Sequence, residues 1–144
     1  MSACELCDSD GGVLIARRAE FRVIRAADAH FPAFYRVIWN EHVAEWTDLA
    51  VPQRSLCMQA VAKIETVLRE ALAPTKVNLA SLGNVVPHLH WHVIARFDWD
   101  SHFPQPVWGM AQRRVDPPAA QRLPIALEAL DARVAMELAT PGRD

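Results

Sequence analysis

Short runs rich in apolar residues, bounded by turn residues, predict that strands make up much of this chain. In the run that ends at Arg96, apolar residues alternate with histidines, and period-two alternation places successive side chains on opposite faces of a sheet. Turn residues such as Gly11-Gly12 and Gly83-Asn84 separate the runs. The predicted strands cover residues 13–15, 21–24, 35–39, 76–82 and 85–96.

Two further stretches repeat their apolar residues every three or four positions, as amphipathic helices do. The first runs from Leu56 to Leu72, with Thr47 or Asp48 as its predicted N-cap and Pro74 as its end. The second covers residues 118–138. Strands, a helix, strands and a helix in this order predict an α+β fold, with an antiparallel sheet, one long central helix and a C-terminal helix.

Length, composition and net charge indicate how many domains the chain forms and which kinds of partner are expected. With 144 residues, 51% of them hydrophobic, the chain is expected to form one domain over residues 1–144. A net charge of -2 provides no broad basic surface, so nucleic acid is not an expected partner. We expect a cytoplasmic protein, because the sequence has no signal-like or membrane-spanning apolar run. We expect no disulfides, because the three cysteines cannot all pair and the compartment is reducing.

The segment from Val85 to Arg96 carries the most specific chemical pattern in the sequence. Its histidines point to one face of the predicted strand and its apolar residues to the other, the two sets being His88, His90 and His92, and Leu89, Trp91 and Val93. Imidazoles in a row can supply a nucleophile and a proton donor for phosphoryl or acyl transfer. They can equally bind a metal ion, and the pattern leaves both chemistries open.

The segment resembles the signature of the histidine triad (HIT) family, in which three histidines alternate with apolar residues. His88–Ile94 fits that signature throughout, Gly83–Val86 resembles the segment that precedes it, and the likeness extends from Cys4 to Trp108. The resemblance implies a homodimeric nucleotide hydrolase or nucleotidyl transferase. Such enzymes cleave at the α-phosphate of small nucleotides such as nucleoside phosphoramidates and diadenosine polyphosphates, and require no cofactor for catalysis.

The resemblance also implies roles for individual residues. His90 is the expected nucleophile, His92 would bind a phosphate oxygen or the leaving group, and His88 would hold the orientation of the nucleophilic ring. Asn84 and Asn78 occupy positions at which relatives contact the substrate. Both asparagines also have simpler interpretations, since Asn84 suits a turn and Asn78 can satisfy backbone groups on an edge strand.

Several positions depart from the family pattern. Val85 stands where many relatives have a phosphate-binding hydroxyl, and Phe34 stands where several have a fourth histidine. Because this hydroxyl is missing, a second interpretation is that the protein binds a nucleotide or a metal ion without catalysing a reaction. A metal hydrolase using the triad as ligands is a third reading, although the run holds no carboxylate to act as a base. His30 and His102 are expected to be surface or loop histidines and not ligands, although His102 is close enough in sequence to line the mouth of the site.

A structural zinc site is a separate prediction. Zinc-binding relatives combine an N-terminal Cys-x-x-Cys with two histidines, and the matching residues here are Cys4, Cys7, His42 and His88. Two thiolates and two imidazoles suit a tetrahedral zinc ion. The alternative is that Cys4 and Cys7 are reduced packing thiols and that His42 begins a loop.

Overall fold

A five-stranded antiparallel sheet forms the centre of the computed structural model, which describes residues 3–141. The spatial order is β1-β2-β3-β5-β4, so β5 lies between β3 and β4 and both of its neighbours run antiparallel to it. The strands are β1 (Val13–Arg17), β2 (Phe21–Arg25), β3 (Phe34–Trp39), β4 (Lys76–Ala80) and β5 (His90–Arg96).

Helices cover one face of this sheet and enclose the main core. The long helix α2 (Val51–Leu72) lies against the sheet and packs with the C-terminal helix α3 (Leu127–Ala139). A short N-terminal helix, α1 (Glu5–Asp8), buries Leu6 with Ile24 and Ile38 in a small cluster apart from that core. This arrangement confirms the predicted α+β fold with a long central and a C-terminal helix.

The start of α2 differs from the prediction, while its end agrees. Thr47 and Asp48 are not its N-cap but belong to a separate 3-10 turn, Trp46–Asp48, in which the Asp48 carboxylate accepts a bond from the backbone of Glu45. The helix begins at Val51 because Pro52 fits the first turn, where its missing N–H has no partner to lose. It ends at Leu72, where Ala73 turns left-handed ahead of Pro74.

The last helix is shorter than predicted. Residues 119–122 form a 3-10 turn, and α3 begins only at Leu127. Pro124 explains the gap, because a proline disfavours the helical conformation in the residue before it, and Leu123 is extended. Within residues 3–141, no helix combines the length and apolar composition needed to cross a membrane.

The connection between β4 and β5 is longer than the predicted two-residue turn. Pairing reaches Ala80 opposite His92, so residues 81–89 leave the sheet and return to it beside the histidines. Gly83 adopts a left-handed conformation in this loop, with a φ of 75°, which glycine accepts without a steric penalty. The backbone of Leu89 is held by Val43 and Trp39, which fixes the approach to β5.

Candidate active site and metal centre

Alternation along β5 separates the histidines from the core as the sequence predicts. Leu89 and Val93 are buried in the core beneath α2, with Trp91 packed at its margin. His90 and His92 lie on the opposite face of the sheet, where they line a cavity. His88 comes just before the strand and is fully buried, beside the N-terminal helix instead of in that cavity.

The cavity on this face has a volume of about 550 Å³, enough for a small nucleotide. The loop at 81–89 forms one wall, and Trp108 contributes an exposed ring from the segment after β5. Asn84 lines the cavity as predicted, and Val85 lies at its rim with 93% of its surface exposed. The remaining lining residues are Glu5, Leu6, Gly11, Arg36, Leu82, Gly83 and Val86.

His90 is held by a backbone carbonyl. Its Nδ1 lies 2.6 Å from the carbonyl oxygen of His88, which can only accept, so Nδ1 carries the ring proton and Nε2 keeps a lone pair. Burial lowers the pKa of His90; the backbone bond opposes this shift, and the charge of Arg36 adds to it. The ring is therefore a neutral imidazole whose Nε2 is not used by that bond.

His92 carries its proton on the other nitrogen. Arg36 Nε, which can only donate, lies 3.3 Å from His92 Nδ1, so Nδ1 accepts and Nε2 carries the proton. Burial lowers the pKa of His92 to about 4, and electrostatic repulsion between a protonated His92 and the neighbouring His90 and Arg36 adds to this shift. The two rings meet edge to face at 5.0 Å between centroids, and both line the same cavity, one with a free Nε2 lone pair and the other with an Nε2–H donor.

Two residues of β3 support this pair. Phe34 packs edge-on against His92, with 5.3 Å between ring centroids, and the guanidinium of Arg36 lies 5.1 Å from the centre of the Phe34 ring. Sequence reasoning singled out Phe34 but missed Arg36. The pairing of Arg36 with His92 across β3 and β5 could not be known without the register of the sheet.

Asn78 and His102 are placed outside the cavity lining. The side-chain oxygen of Asn78 accepts a bond of 2.9 Å from Arg96 Nη1 on the adjacent strand. His102 lies in a separate depression, where its Nδ1 is 2.7 Å from the hydroxyl of Ser101. His102 therefore lies in a loop outside the cavity and does not line its mouth.

A buried ion pair fixes the segment that brings Trp108 to the cavity. Arg96 donates to the Asp100 carboxylate at 2.8 and 3.1 Å, and to the carbonyl of Gln105 at 2.7 Å. Burial alone raises the pKa of Asp100, but the bonds from Arg96 and from three backbone N–H groups outweigh it and lower that pKa. The carboxylate thus stays ionised and anchors the start of this loop.

The four residues of the predicted zinc site come together. Their ligand atoms all lie within 4.8 Å of one another, although Cys4 and Cys7 come from the N-terminus, His42 from the segment after β3, and His88 from the loop before β5. Cys4 and Cys7 Sγ are each 3.5 Å from His88 Nδ1. Cys7 Sγ is 3.4 Å from His42 Nδ1, and the two Nδ1 atoms are 3.2 Å apart.

The four distances just given fit a tetrahedral zinc ion. Ordinary zinc–sulfur and zinc–nitrogen bond lengths place sulfur and nitrogen ligands about 3.5 Å apart and two nitrogens about 3.3 Å apart. His88 Nε2 lies 2.6 Å from the carbonyl oxygen of Trp39 and therefore carries the proton, which leaves the Nδ1 lone pair facing the cluster. Burial lowers the pKa of His88, which favours the neutral ring that a metal requires.

Comparison with known proteins places the chain in a family. Residues 11–99 match the HIT domain. A histidine triad protein from Bradyrhizobium japonicum is 25% identical, with a TM-score of 0.74 over 95% of this chain and 97% of its own. One from Marinobacter aquaeolei VT8 is 23% identical, with a TM-score of 0.72 over 95% of each chain.

A zinc-bound histidine triad family protein from Mycobacterium smegmatis is more distant, at 19% identity and a TM-score of 0.61 over 95% of this chain and 94% of its own. No curated protein sequence matches the chain. The domain match includes the triad and His42 but stops before Trp108 and begins after Cys4 and Cys7. Together, the domain match and the shared fold show that this chain belongs to the histidine triad (HIT) family.

Proposed function

We propose that this protein is a nucleotide hydrolase or nucleotidyl transferase that cleaves at the α-phosphate of a small nucleotide through a covalent nucleotidyl-histidine. The bond from His90 Nδ1 to the carbonyl of His88 carries the proposal, because it leaves the Nε2 lone pair for the substrate. A neutral imidazole nitrogen in a cavity is a competent nucleophile. Nucleoside phosphoramidates and diadenosine polyphosphates are the substrate classes we favour.

The reaction divides into two displacements. In the first, the lone pair of His90 Nε2 attacks the α-phosphorus, an Nε2–P bond forms, and the bond to the leaving group breaks with its electron pair. His92 Nε2–H donates to a phosphate oxygen or to the leaving atom, which stabilises the developing negative charge. In the second, water attacks the phosphorus and gives up a proton to solvent, the Nε2–P bond breaks with its electron pair returning to Nε2, and the nucleoside monophosphate leaves with neutral His90 restored.

The cavity wall supplies the remaining contacts in this scheme. Asn84 is in position to donate its side-chain amide to a phosphate oxygen. Asn78 acts through Arg96, whose guanidinium it helps to hold. Trp108 offers an exposed aromatic surface at the same cavity, suited to the base of a nucleotide.

We also propose a structural zinc ion held by Cys4, Cys7, His42 and His88. The support is the convergence of four donors at tetrahedral spacing, together with the zinc-bound relative from Mycobacterium smegmatis. When bound, zinc supplies a cross-link between the N-terminus and the loops that flank β3 and β5. Catalysis in this scheme uses no metal, since His90 and His92 are not among the four ligands.

A homodimer is part of the proposal. Strand β4 is at one edge of the sheet, so one side of its backbone is open to another strand. Leu79 on this strand is 45% exposed, and Leu82 just beyond it is 51% exposed. Edge-to-edge pairing of two β4 strands would cover both and complete one continuous sheet.

A substrate screen with a chelator control tests the proposed activity. Purified protein is incubated with adenosine phosphoramidate and with diadenosine polyphosphates in water enriched in ¹⁸O, and the products are identified by mass spectrometry. We expect AMP carrying one ¹⁸O atom, formed at a rate that EDTA does not change while the protein stays folded. Binding of these ligands without any product would favour the non-catalytic module, and rapid loss of turnover in EDTA would favour a catalytic metal.

A further inference from the structure

Arg36 lies opposite the second histidine of the cavity. It is the partner of His92 in the register between β3 and β5, and its side chain is half-buried on the cavity face of the sheet. Its Nε donates to His92 Nδ1, and the guanidinium lies over the ring of Phe34. One nitrogen of the guanidinium is therefore engaged by imidazole and one of its faces by an aromatic ring.

Other buried arginines meet oxygen atoms. Arg22 donates to three backbone carbonyls, Arg25 to the Asp131 carboxylate, and Arg96 to Asp100 and Gln105. Among the partly or fully buried arginines between residues 3 and 141, Arg36 alone has no oxygen acceptor. Its terminal nitrogens Nη1 and Nη2 have no hydrogen-bond partner within the described chain.

The guanidinium of Arg36, with two donor nitrogens that have no acceptor in the described residues, is suited to bind an anion in the cavity. Arginine remains charged in proteins, and Nη1 and Nη2 of Arg36 are not buried, so they face solvent in the cavity while Nε is engaged by His92. Glu5 lines the same cavity but forms no ion pair with Arg36 in the described residues. Among the cavity-lining residues that the structure describes, Arg36 is also the sole lysine or arginine.

We propose that Arg36 binds the phosphate of the ligand through Nη1 and Nη2 while its Nε holds His92 in the form that carries the proton on Nε2. Two parallel N–H groups match two oxygens of a phosphate, so the favoured ligand is a phosphate ester or anhydride rather than a neutral nucleoside. This inference rests on the proposed function only in assuming a phosphorylated small molecule as ligand.

Three variants separate charge from hydrogen-bond geometry. Arg36→Met removes both, and Arg36→Lys keeps the positive charge without the Nε–H and the fork. Arg133→Met is the matched control, because Arg133 is an exposed arginine of α3 that is 3.7 Å from Glu70. Calorimetric titration with AMP and with adenosine then compares a ligand that carries phosphate with one that does not.

We expect Arg36→Met to weaken AMP binding by at least about tenfold and to leave adenosine binding unchanged. Arg36→Lys should retain part of the AMP affinity, and Arg133→Met should match the wild type for both ligands. Equal AMP affinity in wild type and Arg36→Met would overturn the phosphate contact. So would a wild type that binds AMP no better than adenosine.

The proton on His92 is measured independently by ¹⁵N NMR of the histidine side chains. In the wild type we expect His92 Nδ1 to resonate as an unprotonated nitrogen and Nε2 as a protonated one. Both Arg36 variants should shift this pattern toward a mixture of tautomers, whereas Arg133→Met should not. A wild-type His92 that is protonated on Nδ1, or a pattern unchanged in Arg36→Lys, would contradict the positioning role.

These readouts need no turnover, so the two proposals can fail separately. A protein that hydrolyses nothing, yet shows the Arg36-dependent AMP affinity and the His92 tautomer, would overturn the hydrolase and support Arg36. An active enzyme whose Arg36→Met variant keeps its AMP affinity and its tautomer would support the hydrolase and overturn Arg36. If Arg36→Met does not fold, Arg36→Lys still decides the tautomer question.

Discussion

The Cys/His cluster and the His90–His92 cavity lie on the same face of one sheet. Both contain histidines, but their ring nitrogens are arranged differently. In the cluster, four ligand atoms converge within 4.8 Å, so the lone pairs face one another. In the cavity, a backbone carbonyl accepts from one Nδ1 and a guanidinium donates to the other, so neither bond uses an Nε2 atom. In each histidine, the hydrogen bond made by one ring nitrogen determines the tautomer and therefore whether the other nitrogen carries a lone pair or a proton.

His88 belongs to both regions. Its Nδ1 faces the cluster, its Nε2 donates to Trp39, and its backbone carbonyl accepts the proton of His90. The cluster therefore holds the atom that sets the tautomer of the proposed nucleophile. Stability should depend on the first region and chemistry on the second, and the predictions below aim to separate them.

The largest expected effect is on the cavity. His90→Ala removes the Nε2 lone pair and with it the covalent route, so kcat should fall by several powers of ten while the melting temperature changes little. Steady-state kinetics on the best substrate of the screen measures this. His30→Ala, at an exposed histidine outside both regions, is the matched control and should keep wild-type kcat. Most of the activity remaining in His90→Ala would remove His90 from the mechanism.

The cluster should respond in the opposite way. Replacing Cys4 and Cys7 together by serine removes both thiolates from the proposed zinc site, so the purified protein should contain no zinc and should melt lower by on the order of 10 °C. Elemental analysis and thermal unfolding measure the two quantities. Wild-type protein that contains no zinc and gains no stability when zinc is added would contradict the site.

Cys57 provides the control for this double variant. It is buried in α2 away from the cluster, and burial raises the pKa of its thiol to about 12. Cys57→Ala removes a thiol without touching a proposed ligand. We expect unchanged zinc content and a smaller loss of stability, due to packing alone.

The pH dependence of stability should report His92. In the unfolded chain His92 has its ordinary pKa of 6.5, whereas in the folded chain its pKa is about 4. Between pH 4 and pH 6.5 the unfolded state therefore binds more protons than the folded state. Stability should therefore fall as the pH drops from about 6.5 to about 4. His92→Gln should show a shallower fall over that window and a curve parallel to wild type above it. Denaturant unfolding at a series of pH values measures both, and identical slopes would count against a buried neutral His92.

The smallest expected effect concerns the rim of the cavity. Val85→Ser introduces the hydroxyl that the family resemblance leads us to expect at this position, and one hydrogen bond contributes about 1 kcal/mol, so KM should fall by up to about fivefold with kcat unchanged. Val51→Ser is the control, since Val51 is also an exposed valine, at 68%, but lies at the start of α2. A large rise in kcat for Val85→Ser would mean that the rim, and not the histidine pair, limits the reaction.

Much of this arrangement could be predicted because it depends on local patterns. The period-two alternation around β5 correctly predicts that Leu89 and Val93 enter the core while His90 and His92 face away. The spacing of apolar residues predicts the long helix. The family resemblance gathers Cys4, Cys7, His42 and His88, whose ligand atoms do converge.

What sequence reasoning missed depends on contacts between distant segments. Arg36 is a single charged residue in an apolar strand, and its partner His92 lies 56 residues further on, so only the register of β3 and β5 reveals the pair. The tautomers of His90 and His92 follow from these contacts and not from residue type. Thr47 and Asp48 are predicted as helix N-caps because Thr and Asp are common at that position. Here the same residue types form a separate 3-10 turn ahead of the helix that begins at Val51.

Trapping the covalent intermediate tests the central claim most directly, namely that His90 presents an unprotonated Nε2 to the α-phosphate. The protein is quenched with acid-free denaturant during turnover of adenosine phosphoramidate and digested, and the peptides are analysed by mass spectrometry. We predict one adenylyl group on His90, absent from His90→Ala and present in His30→Ala. An adenylyl group on His88 or His92 instead, or turnover in which no histidine is ever labelled, would contradict the account.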